Sequence, residues 1–311
     1  MSIKRFRFLL MGMVGLLLVS CGVASHTASY YTSSNKATRE VLSEGMVCYT
    51  IKDSIFGAPQ SISILEFDPS KYTFKVLSHN GMAKTDKLAE ELGAVAAING
   101  TFYNMRKGNS VCYMQIDGVV ADTTVGKDMQ RRATGAVLIR KGKLSTIPWN
   151  KELENQYKEA AAQKGLMQVG VFQPANATDV NSNGISVMAA MPVLIDNGKA
   201  VEMEIYKGFS NKRHPRSVIF VTREGLVGLM VIDGRHKGNA EGMTLDEVQQ
   251  FLLSMDGGKG CRSAVNLDGG GSSTLWTAKE GVINYPSDNN KFDHKGTRRV
   301  ANSIIVMARD R

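Results

Sequence analysis

The densest run of chemistry-bearing residues in the 311-residue chain is Ala264-Val265-Asn266-Leu267-Asp268-Gly269-Gly270-Gly271-Ser272-Ser273. A buried aliphatic strand would carry Asp268 to its end. Three glycines then permit a tight turn, whose successive N–H groups, with the hydroxyls of Ser272 and Ser273, can cradle an anionic oxygen. A plain glycine-rich hairpin would not need three glycines between a carboxylate and two serines. A second run, Leu229-Met230-Val231-Ile232-Asp233-Gly234-Arg235, again ends an aliphatic stretch in an aspartate. Aspartate before glycine is an ordinary turn former, so each residue says little by itself. Together they are the two carboxylates that glycoside hydrolysis uses, one to protonate the leaving oxygen and one to stabilise or attack the sugar cation.

Other chemistries lack their residues. No Walker lysine follows the glycines, no G-x-S-x-G elbow occurs, and none of the five histidines has an evident serine partner. No cysteine or histidine spacing suits zinc, and the motifs require no cofactor. Asp179-Val180-Asn181-Ser182-Asn183-Gly184 copies the first half of a calcium loop, but the twelfth position is Ala190 rather than a bidentate glutamate, so it reads as a turn.

The elements that must position these residues follow from apolar spacing. Ser61 to Phe67, Tyr72 to Leu77, Ala136 to Arg140 and Val193 to Ile195 read as strands. Ser217 to Thr222 and Leu226 to Ile232 read as a hairpin about Arg223-Glu224-Gly225. Three helices are predicted: Asp86 to Leu92 capped by Thr85, Lys151 to Lys164 capped by Asn150, and one opened by the capping box Thr244-Leu245-Asp246-Glu247. A parallel crossover through that third helix would bring Asp233 and Asp268 to neighbouring strand ends. The Thr85 helix followed by Ala94 to Ile98 and Asn99-Gly100 echoes the Thr244 helix followed by Ser263 to Leu267 and Asp268-Gly269. Both strand ends should serve one crevice.

Seven short motifs occur in a fixed order: Asn99-Gly100-Thr101-Phe102-Tyr103, His214-Pro215-Arg216-Ser217, Asp233-Gly234-Arg235, Gly242 to Glu247, Asn266 to Ser273, Asn284-Tyr285-Pro286-Ser287 and Arg299-Val300-Ala301-Asn302. In this order the chain resembles the phosphodiester glycosidase family from about residue 45 onward. The resemblance implies cleavage at the anomeric carbon of a phosphate-linked sugar. Carried over residue by residue, it implies Asp233 and Asp268 as acid/base and charge-stabilising groups. Arg216 and Arg235 would bind phosphate oxygens bidentately, and Gly269, Gly270, Ser272 and Ser273 would donate to the substrate. Asn99 and Asn302 would orient sugar hydroxyls. Of the adjacent Arg298 and Arg299, the family motif favours Arg299. Thr101 stands where glycine is frequent in the family and would narrow the pocket, and Lys151 to Asn183 carries no family motif.

The bulk of the chain fits an exported protein. Lys4, Arg5 and Arg7 precede the apolar run Phe8 to Val19, which has signal-peptide length, and Leu18-Val19-Ser20-Cys21 resembles a lipobox that would acylate Cys21. The expected organisation is a signal peptide over 1–20, a flexible tether over 21–42 and one α+β domain over 43–311, with a mixed β-sheet core flanked by a few helices. Three of the nine net positive charges lie in the signal segment. The remainder suits an anionic substrate or membrane surface, since no basic helix or aromatic–basic register points to nucleic acid. Cys48, Cys112 and Cys261 allow at most one disulfide. The reading is an enzyme lipid-anchored in a bacterial cell envelope and acting on a phosphate-bearing glycan; its rival is a non-catalytic lipoprotein that binds anionic polysaccharide. Cys21→Ala is expected to release the protein from membranes into the soluble envelope fraction, because an acyl chain contributes about 0.8 kcal/mol per buried CH₂. Detergent-dependent membrane association that persists in the variant would contradict the anchor.

Overall fold

Runs of β-branched and aromatic residues, punctuated by Gly, Asn and Asp, fold as strands that dominate the protein. The computed structural model describes residues 37–169, 184–204, 208–255 and 260–309. Cys21, the signal segment and the calcium-like turn at 179–183 lie outside the described residues. An eight-stranded sheet has the order Ala37–Ser43, Met46–Ile55, Ala58–Phe67, Val227–Ile232, Arg216–Thr222, Cys261–Asn266, Val193–Asp196 and Lys199–Ala200. One five-stranded sheet runs Lys143–Pro148, Gly135–Arg140, Ile185–Ala190, Met114–Ile116 and Val119–Asp122. Another runs Gly281–Val282, Leu275–Thr277, Ala96–Asn99, Arg299–Ala308 and Tyr72–Lys84. Tyr103–Asn104 and Asn109–Ser110 form a small hairpin.

Every pairing between these strands is antiparallel, which corrects the expected mixed sheet. The reason is one strand. Val227–Ile232 and Cys261–Asn266 do run in the same direction with helix Leu245–Ser254 between them in the chain. Arg216–Thr222, the hairpin partner of the first, inserts between them and pairs antiparallel with both. Asp233, Arg216 and Asp268 therefore emerge in sequence along a single sheet edge, with Arg216 opposite Ile232 and Val218 opposite Asn266.

Both sheet faces are covered. Leu65, Phe67, Phe74, Ile98, Leu229 and Ile304 belong to a core shared by the three large sheets. On the other face of the eight-stranded sheet, Ile62, Ile64, Phe220 and Met230 pack with Val248, Phe251 and Leu252 of helix Leu245–Ser254. Burying each of those helix side chains contributes about 1.5–3 kcal/mol, which fixes the crossover against the sheet.

Two of the predicted caps are present: Asn150 accepts from Leu153 N, and Thr244 with Glu247 forms a complete capping box. Thr85 is instead the first residue of helix Thr85–Glu91, and its hydroxyl lies 2.8 Å from Ser303 Oγ on the neighbouring strand. A fourth helix, Lys127–Arg132, has no buried residue and so left no apolar spacing to read. Strand Ala37–Ser43, which takes in residues 37–42 of the expected tether, pairs with Met46–Ile55 as an exposed edge strand around a turn with Gly45 at φ 78°. Cys48, Cys112 and Cys261 are all free thiols. Thr244→Ala, which removes a cap worth about 1 kcal/mol, should lower Tm by about 2–4 °C in a domain of this size. An unchanged melting curve would show that the box does not hold this helix end.

Candidate active site

The two echoed strand ends meet. Asp268 N donates to Gly100 O at 3.1 Å, and Asn99 Nδ2 donates to Asp268 O at 2.7 Å. The remaining capacity of the Asn99 amide is also used: Nδ2 reaches Gly100 O at 3.2 Å, and Oδ1 accepts from Ser217 Oγ at 2.7 Å and from Thr274 N at 3.1 Å. Two donors and two lone pairs are all that an amide has. Asn99 is fully buried and has nothing left for a sugar hydroxyl, so it holds the Asp268 turn in place. Thr101 is likewise buried and donates to Ala189 O at 2.7 Å, leaving the pocket unobstructed by its hydroxyl.

Asp268 itself is half-buried. Its Oδ1 accepts from Gly269 N at 3.0 Å, and the Ser272 hydroxyl also bonds it. Burial raises its pKa to about 6, against the opposing pull of Ser272, Gly269, Arg298 and Arg235. The glycine turn is not the open cradle expected from its composition. Gly270 N donates to Pro215 O at 2.9 Å, Ser272 N to Gly269 O at 3.2 Å and Ser273 N to Gly270 O at 3.3 Å. Ser273 Oγ is buried beside Ser217 Oγ at 3.1 Å. A short 3₁₀ turn over Gly270–Ser272, with Pro215 O and Ser217 Oγ beside it, takes up these groups.

What the glycines provide is room for guanidinium groups. A Cβ on Gly270, which sits at φ 63°, would lie 2.7 Å from Arg235 Nη2. A Cβ on Gly271 would meet Arg298 Nη2 and Asp288 Oδ1 within 2.7 Å. Two arginines therefore lie on the backbone directly after the catalytic candidate. Arg235 is exposed, holds a left-handed φ of 66° that costs a non-glycine residue energy, and makes no ion pair among the described residues. Arg298 is fixed by Asp288, to which Nε donates at 2.8 Å and Nη2 donates as well. The side of the site expected for Arg299 thus belongs to Arg298. Arg299 is exposed, and among the described residues its carbonyl accepts from Tyr103 Oη at 3.1 Å. Tyr103 Oη also lies 3.5 Å from Ser272 Oγ.

Asp233 and Arg216 are corrected more sharply. The Asp233 carboxylate is buried: Oδ1 accepts from Tyr285 N at 2.8 Å and Asn284 Nδ2 at 3.0 Å, and Oδ2 from Ser61 Oγ at 2.9 Å. Burial raises its pKa to about 6. It ties its strand end to strand Ala58–Phe67 and to the 284–285 turn, and offers no free face to a substrate. Arg216 is 2% exposed. Its Nε donates to Met243 O at 2.9 Å, and Nη2 to Phe209 O at 2.6 Å and Lys212 O at 2.9 Å. Burial, then the nearby Arg235 charge, lowers its pKa to about 10. The fork expected to clamp phosphate instead ties together three loop carbonyls. Asn302 is 1% exposed, lies against Gly100, and leaves both amide atoms without a partner among the described residues.

Asp288, Arg298, Tyr103 and Asn284 carried no role in the sequence reading. Tyr103 and Asn284 stand inside quoted motifs, whereas the adjacency of Arg298 to Arg299 hid which of the two turns inward.

The phosphodiester glycosidase family model matches residues 92–307. The chain belongs to this family. It is 24% identical over 256 residues to the N-acetylglucosamine-1-phosphodiester alpha-N-acetylglucosaminidase of Bos taurus, covering 75% of this chain and 42% of that protein. The chain thus spans less than half the length of this curated relative. In fold it is similar to the catalytic domain of the zebrafish enzyme of that name, solved auto-inhibited by its pro-peptide, with TM-score 0.57, 18% identity, and 91% of this chain and 87% of that one covered. A hypothetical protein from Synechocystis matches with TM-score 0.54 and 16% identity, over 89% of this chain and 64% of that one. The family match accounts for the order of the motifs, and the geometry separates those that hold the family fold here from those that face the site.

Asp233→Ala should lower Tm by at least about 4 °C, because Tyr285 N, Asn284 Nδ2 and Ser61 Oγ lose their acceptor at about 1–3 kcal/mol per unsatisfied group. Asp233→Asn, which keeps the volume, should lose less. An alanine variant that melts like the wild type would show that this carboxylate is not structural.

Proposed function

We propose that this chain hydrolyses the bond between the anomeric carbon of a sugar and a phosphate, releasing a free sugar and a phosphomonoester, with Asp268 as its catalytic carboxylate. The observation that carries the reading is the placement of Arg235 and Arg298 over Gly270 and Gly271, immediately after a half-buried aspartate. Cations at that position suit a leaving group that is itself an anion.

The chemistry explains why one accessible carboxylate suffices. An ordinary glycoside expels an alkoxide, so its hydrolysis needs a second carboxyl group as general acid. A phosphomonoester has a second pKa of about 6 and departs as an anion at neutral pH. Arg235 and Arg298 would neutralise the charge that grows on its oxygens, the electrostatic stabilisation that usually contributes most. Ionised Asp268 would take a proton from the attacking water and oppose the positive charge on the sugar ring. Tyr103 and Ser272, in contact with each other beside Asp268, would orient that water. Asn302, with its unpaired amide, supports a polar group of the substrate or a bound water beneath Gly100. The reading also keeps the enzyme in the cell envelope, tethered through Cys21, on the strength of the lipobox.

The rival, a non-catalytic binder of anionic polysaccharide, keeps the two arginines but gives Asp268 no task, and its raised pKa would then serve nothing. Asp268→Asn should melt close to the wild type and lose at least about a hundredfold in kcat on a sugar-1-phosphodiester. In the wild type, kcat/KM should fall as pH drops through about 6, because the working form of Asp268 is the ionised one and its pKa is raised to that value. Near-normal turnover in the variant would move the catalytic group elsewhere. Arg235→Lys keeps the charge but loses the planar fork, and should raise KM for phosphodiester substrates at least severalfold; unchanged kinetics would make it a surface residue.

A further inference from the structure

Beside the glycine turn lies a surface that the hydrolytic reading leaves unused. Segments 78–84, 103–110 and 296–303 contain five cations, Lys84, Arg106, Lys107, Arg298 and Arg299, and no Asp or Glu. The fold brings them together. Lys84 lies opposite Arg299 where Tyr72–Lys84 pairs with Arg299–Ala308. Val300 then pairs with Ala83 but Asn302 with Ser78, so residues 79–82 bulge from the ladder opposite Ala301. His79 holds the bulge through Nδ1, which donates to Val300 O at 2.7 Å. Burial lowers its pKa to about 4, so it adds no charge at neutral pH. Gly81, within the bulge, receives the hairpin between Tyr103 and Ser110: a Cβ on Gly108 would lie 2.9 Å from the Gly81 backbone. Arg106 and Lys107 form the hairpin tip, their N–H groups donating to Asn104 Oδ1 at 2.9 and 3.1 Å and their side chains exposed.

This platform is continuous with the catalytic candidate. Tyr103, at the hairpin's base, donates from Oη to Arg299 O at 3.1 Å and lies 3.5 Å from Ser272 Oγ, and Ser272 bonds Asp268. Arg298 hydrogen-bonds the same Tyr103 hydroxyl and precedes Arg299 in the chain. Of the five cations only Arg298 makes an ion pair among the described residues, with Asp288. The carboxylates that border the platform are engaged elsewhere. Asp122 accepts from Asn109 Nδ2 at 2.9 Å and Ser110 N at 3.2 Å, and Asp86 sits in the first turn of helix Thr85–Glu91, where the helix dipole favours an anion. A surface that interleaved both signs would cost less in self-repulsion. Arg235 and Arg298 already serve the scissile phosphate, so Lys84, Arg106, Lys107 and Arg299 have no counterpart in a substrate with that charge alone.

We propose that this platform is a subsite for the leaving group, and that the leaving group is a chain bearing further phosphates, as in a polymer of phosphodiester-linked repeats. The assignment rests on the hydrolytic reading above and adds the chemistry of the half of the substrate beyond the scissile phosphate. The chain runs from Arg298 past Arg299 and Lys84 to the hairpin tip. One exposed cation contributes little to one phosphate. Successive contacts along a polyanion add up and release its counterions, so long substrates are preferred to short ones. Because the cations are exposed, salt weakens that preference. An anionic membrane would meet the same charges, but Met105 is the one large apolar side chain exposed on the platform among the described residues, and a single side chain gives little hold on a bilayer.

Binding measurements test the subsite without requiring turnover. The probes are glycerol phosphate and its linear phosphodiester-linked oligomers with two and four phosphates, titrated by calorimetry. In the wild type, affinity should rise at least tenfold from one phosphate to four, and most of that gain should disappear between about 50 and about 200 mM salt. Arg106→Gln/Lys107→Gln at the exposed tip, and separately Lys84→Gln, should each weaken the four-phosphate oligomer at least threefold and leave glycerol phosphate unchanged. These variants lie on different elements, so one that fails to fold leaves the other to decide. Arg235→Ala should weaken every member of the series. Lys141→Gln/Lys143→Gln removes two exposed charges from a different turn and should change nothing. An affinity that is flat across the series overturns the proposal, as does an equal loss in the Lys141→Gln/Lys143→Gln control, which would reduce the effect to net charge. Platform variants that lose binding to phosphatidylglycerol vesicles but keep oligomer binding would overturn it in favour of a membrane contact. If the length dependence and its loss in the platform variants hold but no sugar-1-phosphodiester is cleaved, the subsite stands and the hydrolytic reading falls. If a sugar-1-phosphodiester with a methyl leaving group is cleaved with the same kcat/KM as one whose leaving group carries four phosphates, the hydrolytic reading stands and the subsite falls.

Discussion

The site depends on one side-chain amide. Asn99 comes from one five-stranded sheet and reaches across to the turn that ends strand Cys261–Asn266 of the eight-stranded sheet, where it holds Asp268 by its carbonyl while accepting from Ser217 and Thr274. Four hydrogen bonds on one buried group leave no alternative arrangement at low cost, because any sheet displacement strands at least one of them away from water. The edge of one sheet and the end of another are thereby locked as a single surface. Asp268 keeps a defined position although a glycine-rich turn follows it at once.

Around that tie, the protein places a second ring of buried polar groups whose task is to hold loops. Asp233 gathers Ser61, Asn284 and Tyr285, and Arg216 gathers the carbonyls of Phe209, Lys212 and Met243. Each is a charged residue in a poorly solvated position, and their pKa values respond accordingly, Asp233 pushed up and Arg216 down. Such groups are costly to bury and more costly to leave unpaired. They are arranged so that the loops carrying Arg235, Phe209 and the 284–298 segment converge on one sheet edge, and the exposed cations owe their positions to these buried ones.

The sequence made the elements legible and misled on what their ends do. Aliphatic runs closed by Asp-Gly located both strand termini, and the echo between the Asn99 and Asp268 turns foretold their meeting. What composition cannot distinguish is a polar side chain that faces a substrate from one consumed by the fold. Asn99, Asp233 and Arg216 all stand in motifs with the residue types of a binding site, yet their hydrogen-bond capacity is taken by side-chain and backbone groups of the protein itself. The reverse error arose at Arg298. The family motif favours Arg299, but the strand begins only at that residue, and the preceding Arg298 turns over Gly271. The mixed sheet failed for a related reason, since the crossover helix fixes the direction of two strands but not whether a third lies between them.

The proposed hydrolysis breaks the bond between the anomeric carbon and its oxygen, not the bond between that oxygen and phosphorus. A cationic pocket beside a phosphate could equally promote attack at phosphorus, which would make the chain a phosphodiesterase. Asp268 as the carboxylate at the anomeric carbon requires attack at carbon instead. Hydrolysis of a sugar-1-phosphodiester in ¹⁸O-labelled water distinguishes the two directly, because phosphate oxygens do not exchange with solvent under such conditions. Mass spectrometry of the phosphomonoester product should show no incorporated label, all of it having entered the sugar. A phosphomonoester that carries one ¹⁸O would place the chemistry at phosphorus and contradict the account.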